Sequence, residues 1–304
     1  MRPMLPPFFV PAHAINSDLR QAIPKARSLG FGGVVIDVSA TPFDLAELSS
    51  SGRRELRHLL ETYDAPLAAI RADAGPAGLG PTADADRILD RAEKLMRAAA
   101  GLGCPLLCLE LGRLPPAQRT ARPKPKVTQE MAGLLILPTP AAPAVEEEPQ
   151  HVRTKVDPVL VGAWQQALAH LGESADRYGT MVAMGTQLSS TAALVSIVRS
   201  TDCPWFGIDL DTAAALRDEW PLEQTFDEAA ALLRHVRLRD AVRGDAARSK
   251  PATLGRGDVA WRQLFELLQS ADYTGPLTID PTELSDPANA AVAGLKQLQA
   301  MLAA

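Results

Sequence analysis

Ionisable residues gather at the ends of short apolar runs. Asp209 and Asp211 close Phe206-Gly207-Ile208, Glu110 closes Leu106-Leu107-Cys108-Leu109, and Asp280 closes Leu277-Thr278-Ile279. Arg237, Arg239, Asp240 and Arg243 follow one another after His235-Val236. His13, Asp37, Arg71, Arg113 and Gln187 hold comparable places earlier in the chain. A charged group at the edge of an apolar core must be paired or solvated. Carboxylates facing arginines would suit an anion or a polyol, because guanidinium offers a planar fork of donors. The same groups would also make a self-neutralised rim that binds nothing, and the sequence leaves that alternative open.

Such groups converge only if the apolar runs are neighbouring strands. A short apolar run followed by a helical stretch recurs along the chain, which predicts a parallel sheet with crossover helices. The strands are expected at Phe8–Ala12, Val34–Val38, Leu67–Ile70, Leu106–Glu110, Met181–Met184, Trp205–Leu210, His235–Leu238 and Pro276–Asp280. Helices are expected between them, among them Asp18–Leu29, Ala83–Gly101, Pro158–Tyr178, Phe226–Leu233 and Trp261–Ser270, with Pro287–Leu302 last. Eight such units close a (β/α)8 TIM barrel, and function then sits at the carboxyl ends of the strands. Adjacent strands lie about 5 Å apart, so the charged strand ends would meet.

The rhythm breaks once. From Arg113 to Pro158 the chain carries nine of its 25 prolines, a basic stretch, an apolar stretch (Gly133–Leu137) and Glu146-Glu147-Glu148. A loop this long is uncommon in a compact domain. The barrel is incomplete on both sides of it, so 113–157 reads as a Pro-rich insertion after strand four within one domain, 1–304. It is expected to form a lid or an oligomer contact over the strand ends, making a homo-oligomer one expected partner state.

Composition narrows the function. Hydrophobic residues make up 46% of the 304 and charged residues 22%, with a formal net charge of −5. A mildly acidic chain lacks the phosphate-neutralising excess of a nucleic-acid binder. No apolar run reaches the ~18 residues of a membrane span, and prolines interrupt the first residues, so the expectation is a cytoplasmic protein with neither membrane nor nucleic-acid partner. The three cysteines, Cys104, Cys108 and Cys203, show no CxxC spacing and predict neither a disulfide framework nor a structural zinc site. Cys104 and Cys108 read as small buried hydrophobes. Trp164, Trp205, Trp220 and Trp261 read as packing residues.

Several motifs resemble one family. Gly30-Phe31-Gly32-Gly33-Val34-Val35-Ile36 resembles G-F-D-G-V-E-L. Gly207-Ile208-Asp209-Leu210-Asp211-Thr212 resembles a strand leading to D-x-x-H, and His235-Val236-Arg237-Leu238-Arg239-Asp240 resembles h-V-H-L-K-D. Leu254-Gly255-Arg256-Gly257-Asp258-Val259-Ala260-Trp261 resembles L-G-x-G-x-V-D-W, and Tyr273 to Asp280 resembles Y-x-G-x-L-x-I-E. These are motifs of the xylose-isomerase-like sugar-phosphate isomerase/epimerase family, in the family's order over nearly the whole chain outside the insertion.

The resemblance implies a divalent metal held by Glu, Asp, His and Glu at the ends of strands five to eight. Carried across, the Asp is Asp211 and the last Glu is Asp280. The first Glu falls at Gly185, the His at Arg237, and a substrate-pairing His at Ala214. A hydroxyl- or phosphate-binding Arg of some members matches Arg243. Arg has no lone pair to give a metal. The expectation is therefore a divergent site without metal or other cofactor. Asp211 and Asp280 are its catalytic candidates, and Glu110, Arg237, Asp240 and Arg243 would hold a sugar or sugar phosphate. The alternative is a non-catalytic carbohydrate- or anion-binding barrel. Apurinic endonuclease chemistry, also known in this superfamily, needs a His-rich zinc cluster that five scattered histidines do not supply.

Overall fold

The computed structural model describes residues 6–75, 78–79, 84–111, 158–185, 191–244 and 249–303. The first half runs β1 (Phe8–Pro11), α1 (Ala12–Ile15), α2 (Leu19–Ser28), β2 (Gly33–Asp37), α3 (Ser50–Thr62), β3 (Leu67–Asp73), α4 (Ala85–Leu102) and β4 (Leu106–Glu110). The second runs α5 (Pro158–Tyr178), β5 (Met181–Met184), α6 (Thr191–Ser200), β6 (Phe206–Asp211), α7 (Thr212–Arg217), α8 (Leu222–Ala229) and β7 (Leu233–Leu238). A hairpin of β8 (Asp240–Arg243) and β9 (Ser249–Ala252) follows, then α9 (Trp261–Ser270), β10 (Leu277–Ile279) and α10 (Pro287–Ala303). The expected insertion, 113–157, lies outside the described residues, as do Arg113 and Gln187.

Eight parallel strands close a barrel in the order β1-β10-β7-β6-β5-β4-β3-β2. This is the (β/α)8 fold expected from the alternation of apolar runs and helical stretches. The helices begin where short polar side chains cap them: Asp18, Ser49 and Asp84 each accept a backbone N–H of the first turn of α2, α3 and α4. No helix among the described residues is long and apolar enough to cross a membrane.

Strand side chains alternate between two faces. One set packs outward against the helices and forms the large core, which includes Val34, Ile36, Leu107, Val182, Val236 and Leu264. The other set fills the lumen, where Phe9, Val35, Ala69, Leu106, Cys108 and Ala183 form a separate apolar cluster. Two residues further along the same face come Asp37, Arg71, Glu110 and Gly185. The charged strand ends are the continuation of the lumen face, one rung above the apolar filling.

Three features depart from the sequence reading. The stretch after β6 forms two helices, α7 and α8, where one was expected from Phe226 to Leu233. β7 already begins at Leu233. The hairpin β8–β9 was not anticipated: Asp240, Ala241, Val242 and Arg243 pair antiparallel with Ala252, Pro251, Lys250 and Ser249. Its strands are short and half exposed, so they carry no apolar run for a sequence to display.

Cys104 and Cys108 are buried and Cys203 is partly exposed. Burial pushes the Cys104 thiol up to about 12 and the Cys108 thiol well up too, where Asp209 adds to the effect. Since the thiolate is the reactive form, we expect a thiol reagent to label native protein at Cys203 and to reach the other two only on unfolding. Rapid native labelling of Cys104 or Cys108, read by peptide mass spectrometry, would contradict this packing.

Candidate functional site

β6 and β7 set Asp211 opposite Arg237, and β7 sets Arg237 beside Thr278 of β10, two residues before Asp280. On the other side β3 brings Arg71 into register with Cys108 and Asp73 with Glu110. The result is a buried knot of charge at the carboxyl end of the barrel. Arg237 donates from Nε to Asp280 Oδ2 at 2.6 Å and from Nη1 to Glu110 Oε1 at 2.9 Å, and Nη1 lies 3.5 Å from Asp211 Oδ2. Arg71 donates to the same Asp280 Oδ2 at 3.1 Å and to Glu110 Oε1 at 3.4 Å, and stands 3.7 Å from Asp37. Arg239 donates to Asp211 Oδ2 at 2.6 Å and pairs with Glu283.

The carboxylates differ in what their other oxygen does. Asp211 Oδ1 accepts the Ala213 and Ala214 N–H groups and caps α7. Asp280 Oδ1 accepts the N–H and hydroxyl of Thr282. Glu110 Oε2 is buried without a hydrogen-bond partner among the described residues. Titration follows from these contacts. Burial by itself would raise Asp280 and Asp211. Arg237 then Arg71 outweigh it for Asp280, Arg239 then Arg237 for Asp211, and both carboxyls are held below the usual range. At Glu110 burial wins over Arg237 and Arg71 and the carboxyl is raised. Burial also lowers His13, which stands within the fields of Asp37, Asp280, Arg71 and Arg237.

A second polar layer lies one rung below. His235 Nδ1 is 2.6 Å from Asp209 Oδ1 and Nε2 is 2.7 Å from the Thr278 hydroxyl. The Cys108 thiol lies beside Asp209 and His235, with donor atoms of the three within 4.8 Å of one another. Both ring nitrogens already have partners, so the layer is satisfied as it stands.

Two expected ligand contacts lie elsewhere. Asp240 is buried, and its oxygens accept five hydrogen bonds: Ala241 and Val259 N–H on Oδ1, Gly255 N–H, Gly257 N–H and Trp261 Nε1–H on Oδ2. It binds the 255–261 loop to the strand end. Gly257 is required there, since a Cβ would sit 2.2 Å from Asp240 Oδ1. The Arg243 side chain is exposed. It lines a separate cavity of about 220 Å³ with Trp220, Asp258 and Gln263. Of the sequence candidates, Arg71, Glu110, Asp211, Arg237, Arg239 and Asp280 come together, with Asp37 and His13 at their edge. Thr282 and Glu283 were missed, although a hydroxyl two residues after a strand-end Asp is a local turn signal.

The sequence matches the xylose isomerase-like TIM barrel over residues 23–301. The chain belongs to that family. Among solved structures it resembles a xylose isomerase domain protein from Planctomyces limnophilus at 16% identity, covering 98% of each chain with a TM-score of 0.73. It also resembles a 3-keto-D-glucoside 4-epimerase from E. coli at 18% identity, covering 98% of this chain and 99% of that one, TM-score 0.66. A D-psicose 3-epimerase from Clostridium cellulolyticum H10 matches at 16% identity over 97% of this chain and 99% of that one, TM-score 0.68. At these identities the likeness is one of fold. No curated protein sequence matches.

Within this xylose isomerase-like barrel, the positions that the resemblance assigns to a divalent metal do not fit one. Gly185 offers no ligand. A Cβ there would lie 3.0 Å from Glu110 Cα and 3.2 Å from its Cγ and Cδ, so the Glu110 side chain runs across the space a strand-five carboxylate would need. Arg237 brings a guanidinium among Glu110, Asp211 and Asp280. Their negative charge holds it protonated despite its burial, which works against the charge.

Proposed function

We propose that the protein acts on a small sugar or related polyol at this barrel mouth, as an isomerase- or epimerase-like protein in which Arg237 is the fixed positive charge. The observation that carries the reading is the contact of one guanidinium with Glu110, Asp211 and Asp280. Moving a proton at a carbon next to a carbonyl leaves negative charge on oxygen, and a pre-placed cation stabilises that charge as it develops. Arg237 Nη2 has no hydrogen-bond partner among the described residues, and the side chain keeps 11% of its exposure. In this reading Nη2 faces the ligand oxygen. Asp211 and Asp280, the expected bases, anchor Arg237 and Arg239, because both oxygens of each are engaged. The epimerase names of the structural neighbours support the substrate class.

A second reading, a sugar-binding barrel without turnover, is favoured by how completely the arginines and carboxylates satisfy one another. Binding without chemistry would distinguish it.

The first test is metal content. Protein loaded with manganese, cobalt and zinc and then desalted is expected to retain no stoichiometric metal by elemental analysis. One metal per chain, lost in Asp211→Ala, would overturn the assignment of Arg237 as the resident cation.

A further inference from the structure

Among Glu110, Asp211 and Asp280, every carboxylate oxygen except one has a described partner. The exception, Glu110 Oε2, belongs to a side chain about nine-tenths buried. Burying an acceptor without a partner is unfavourable, so a native structure that keeps one there calls for an explanation. The rest of Glu110 is firmly placed. Oε1 is held by Arg237 at 2.9 Å and Arg71 at 3.4 Å, and the carbon chain lies against Gly185. A Cβ at 185 would press on it at 3.0–3.2 Å, so the glutamate would have to give by a few tenths of an ångström. The glycine and the glutamate are therefore complementary: β4 delivers a carboxyl into the volume that β5 leaves open.

We propose that Glu110 is the proton-transfer group of the site and that Oε2 is the atom that meets the ligand. This assignment rests on the reading of the site given above. The Glu110 carboxylate takes the proton from a carbon bearing a hydroxyl beside the carbonyl. The C–H electron pair forms a C=C bond, and the carbonyl π pair moves to oxygen, where Arg237 Nη2–H holds the resulting enediolate. The carboxyl then returns its proton to the same carbon, or to its neighbour while the enediolate's hydroxyl proton passes to the other oxygen and the carbonyl re-forms there. No electrons are gained or lost overall and no co-reactant is consumed. Asp211 and Asp280 are poorly placed for this step, because each Oδ1 is committed to backbone or Thr282 and each Oδ2 to arginine. A carboxyl raised by burial also suits a group that must both accept and return a proton.

The test uses Glu110→Gln, which keeps the Oε1 contacts and the packing over Gly185, beside wild type. Each is incubated in D2O with EDTA and with D-allulose, D-tagatose or D-fructose. Loss of carbon-bound hydrogen is followed by NMR and sugar binding by calorimetry. The expected result is exchange in wild type and a fall of about 100-fold or more in Glu110→Gln, with affinity changed by less than about 3-fold. Glu110→Asp, which withdraws the carboxyl by one methylene, should exchange at an intermediate rate. Exchange at the wild-type rate in Glu110→Gln would overturn the assignment and leave the reading of the site intact. Wild type that binds a sugar without exchange would overturn the assignment in favour of a binding barrel. Wild type that neither binds nor exchanges would overturn both.

Discussion

Replacing Arg237 with Met is expected to destabilise the protein by about 3–5 kcal/mol at neutral pH, because it leaves buried charge without its counter-charge. The guanidinium touches Glu110, Asp211 and Asp280. Without it, Arg71 and Arg239 are the arginines among the described residues left to balance three closely spaced carboxylates. The pH dependence should reverse as well. In wild type, Asp211 and Asp280 sit below their ordinary value, so the stability they contribute is complete above the unfolded Asp value near ~4. It is lost as pH falls through their lowered native values. In Arg237→Met Asp280 loses its largest counter-charge and its carboxyl rises, and protonating it relieves repulsion. Acidification from pH 7 to about 5 should therefore narrow the gap between variant and wild type. Urea unfolding across that range measures it. A variant within about 1 kcal/mol of wild type at pH 7, with a gap that does not change with pH, would refute the charge knot as described.

Asp240→Ala is expected to cost at least about 4 kcal/mol, since it removes the acceptor of five hydrogen bonds and strands their donors. The melting temperature should fall on the order of 10 °C. Hydrogen exchange should accelerate first at the amides of Gly255, Gly257 and Val259, which end on this carboxylate, while β3 and β4 keep their protection. The experiment also separates two roles for this residue. A ligand contact would lose affinity with little change in melting temperature. A loop anchor loses stability first, and that is the geometry seen here.

The two variants probe different kinds of information. The Arg237 contacts join β4 and β6 to β7 and to the residue after β10, and Arg71 of β3 meets Asp280 across 209 residues of sequence. The Asp240 contacts stay within 21 residues. The L-G-x-G-x-V-D-W resemblance at Leu254–Trp261 was visible because a short-range loop must spell out its own glycines. Its dependence on Asp240 was not, because a strand-end carboxylate looks the same whether it faces a ligand or a neighbouring loop.

The barrel itself was legible in the sequence. Strands buried on both faces show as unbroken apolar runs, and the helices between them keep a 3.6-residue period. The candidate list was legible too, since charged residues at strand ends stand out against apolar runs, and period two already puts Asp209 with Asp211 and His235 with Arg237 on one face. What each charge touches was decided only by closing the barrel. Closure sets β4 beside β5 and lets Glu110 fill the place opposite Gly185. It turns Asp211 and Asp280 towards arginines, and leaves Arg243 on another surface. Side-chain type depends on the local chain, but pairing depends on which strands become neighbours and in what register. That is a property of the closed sheet, and no stretch of the sequence contains it.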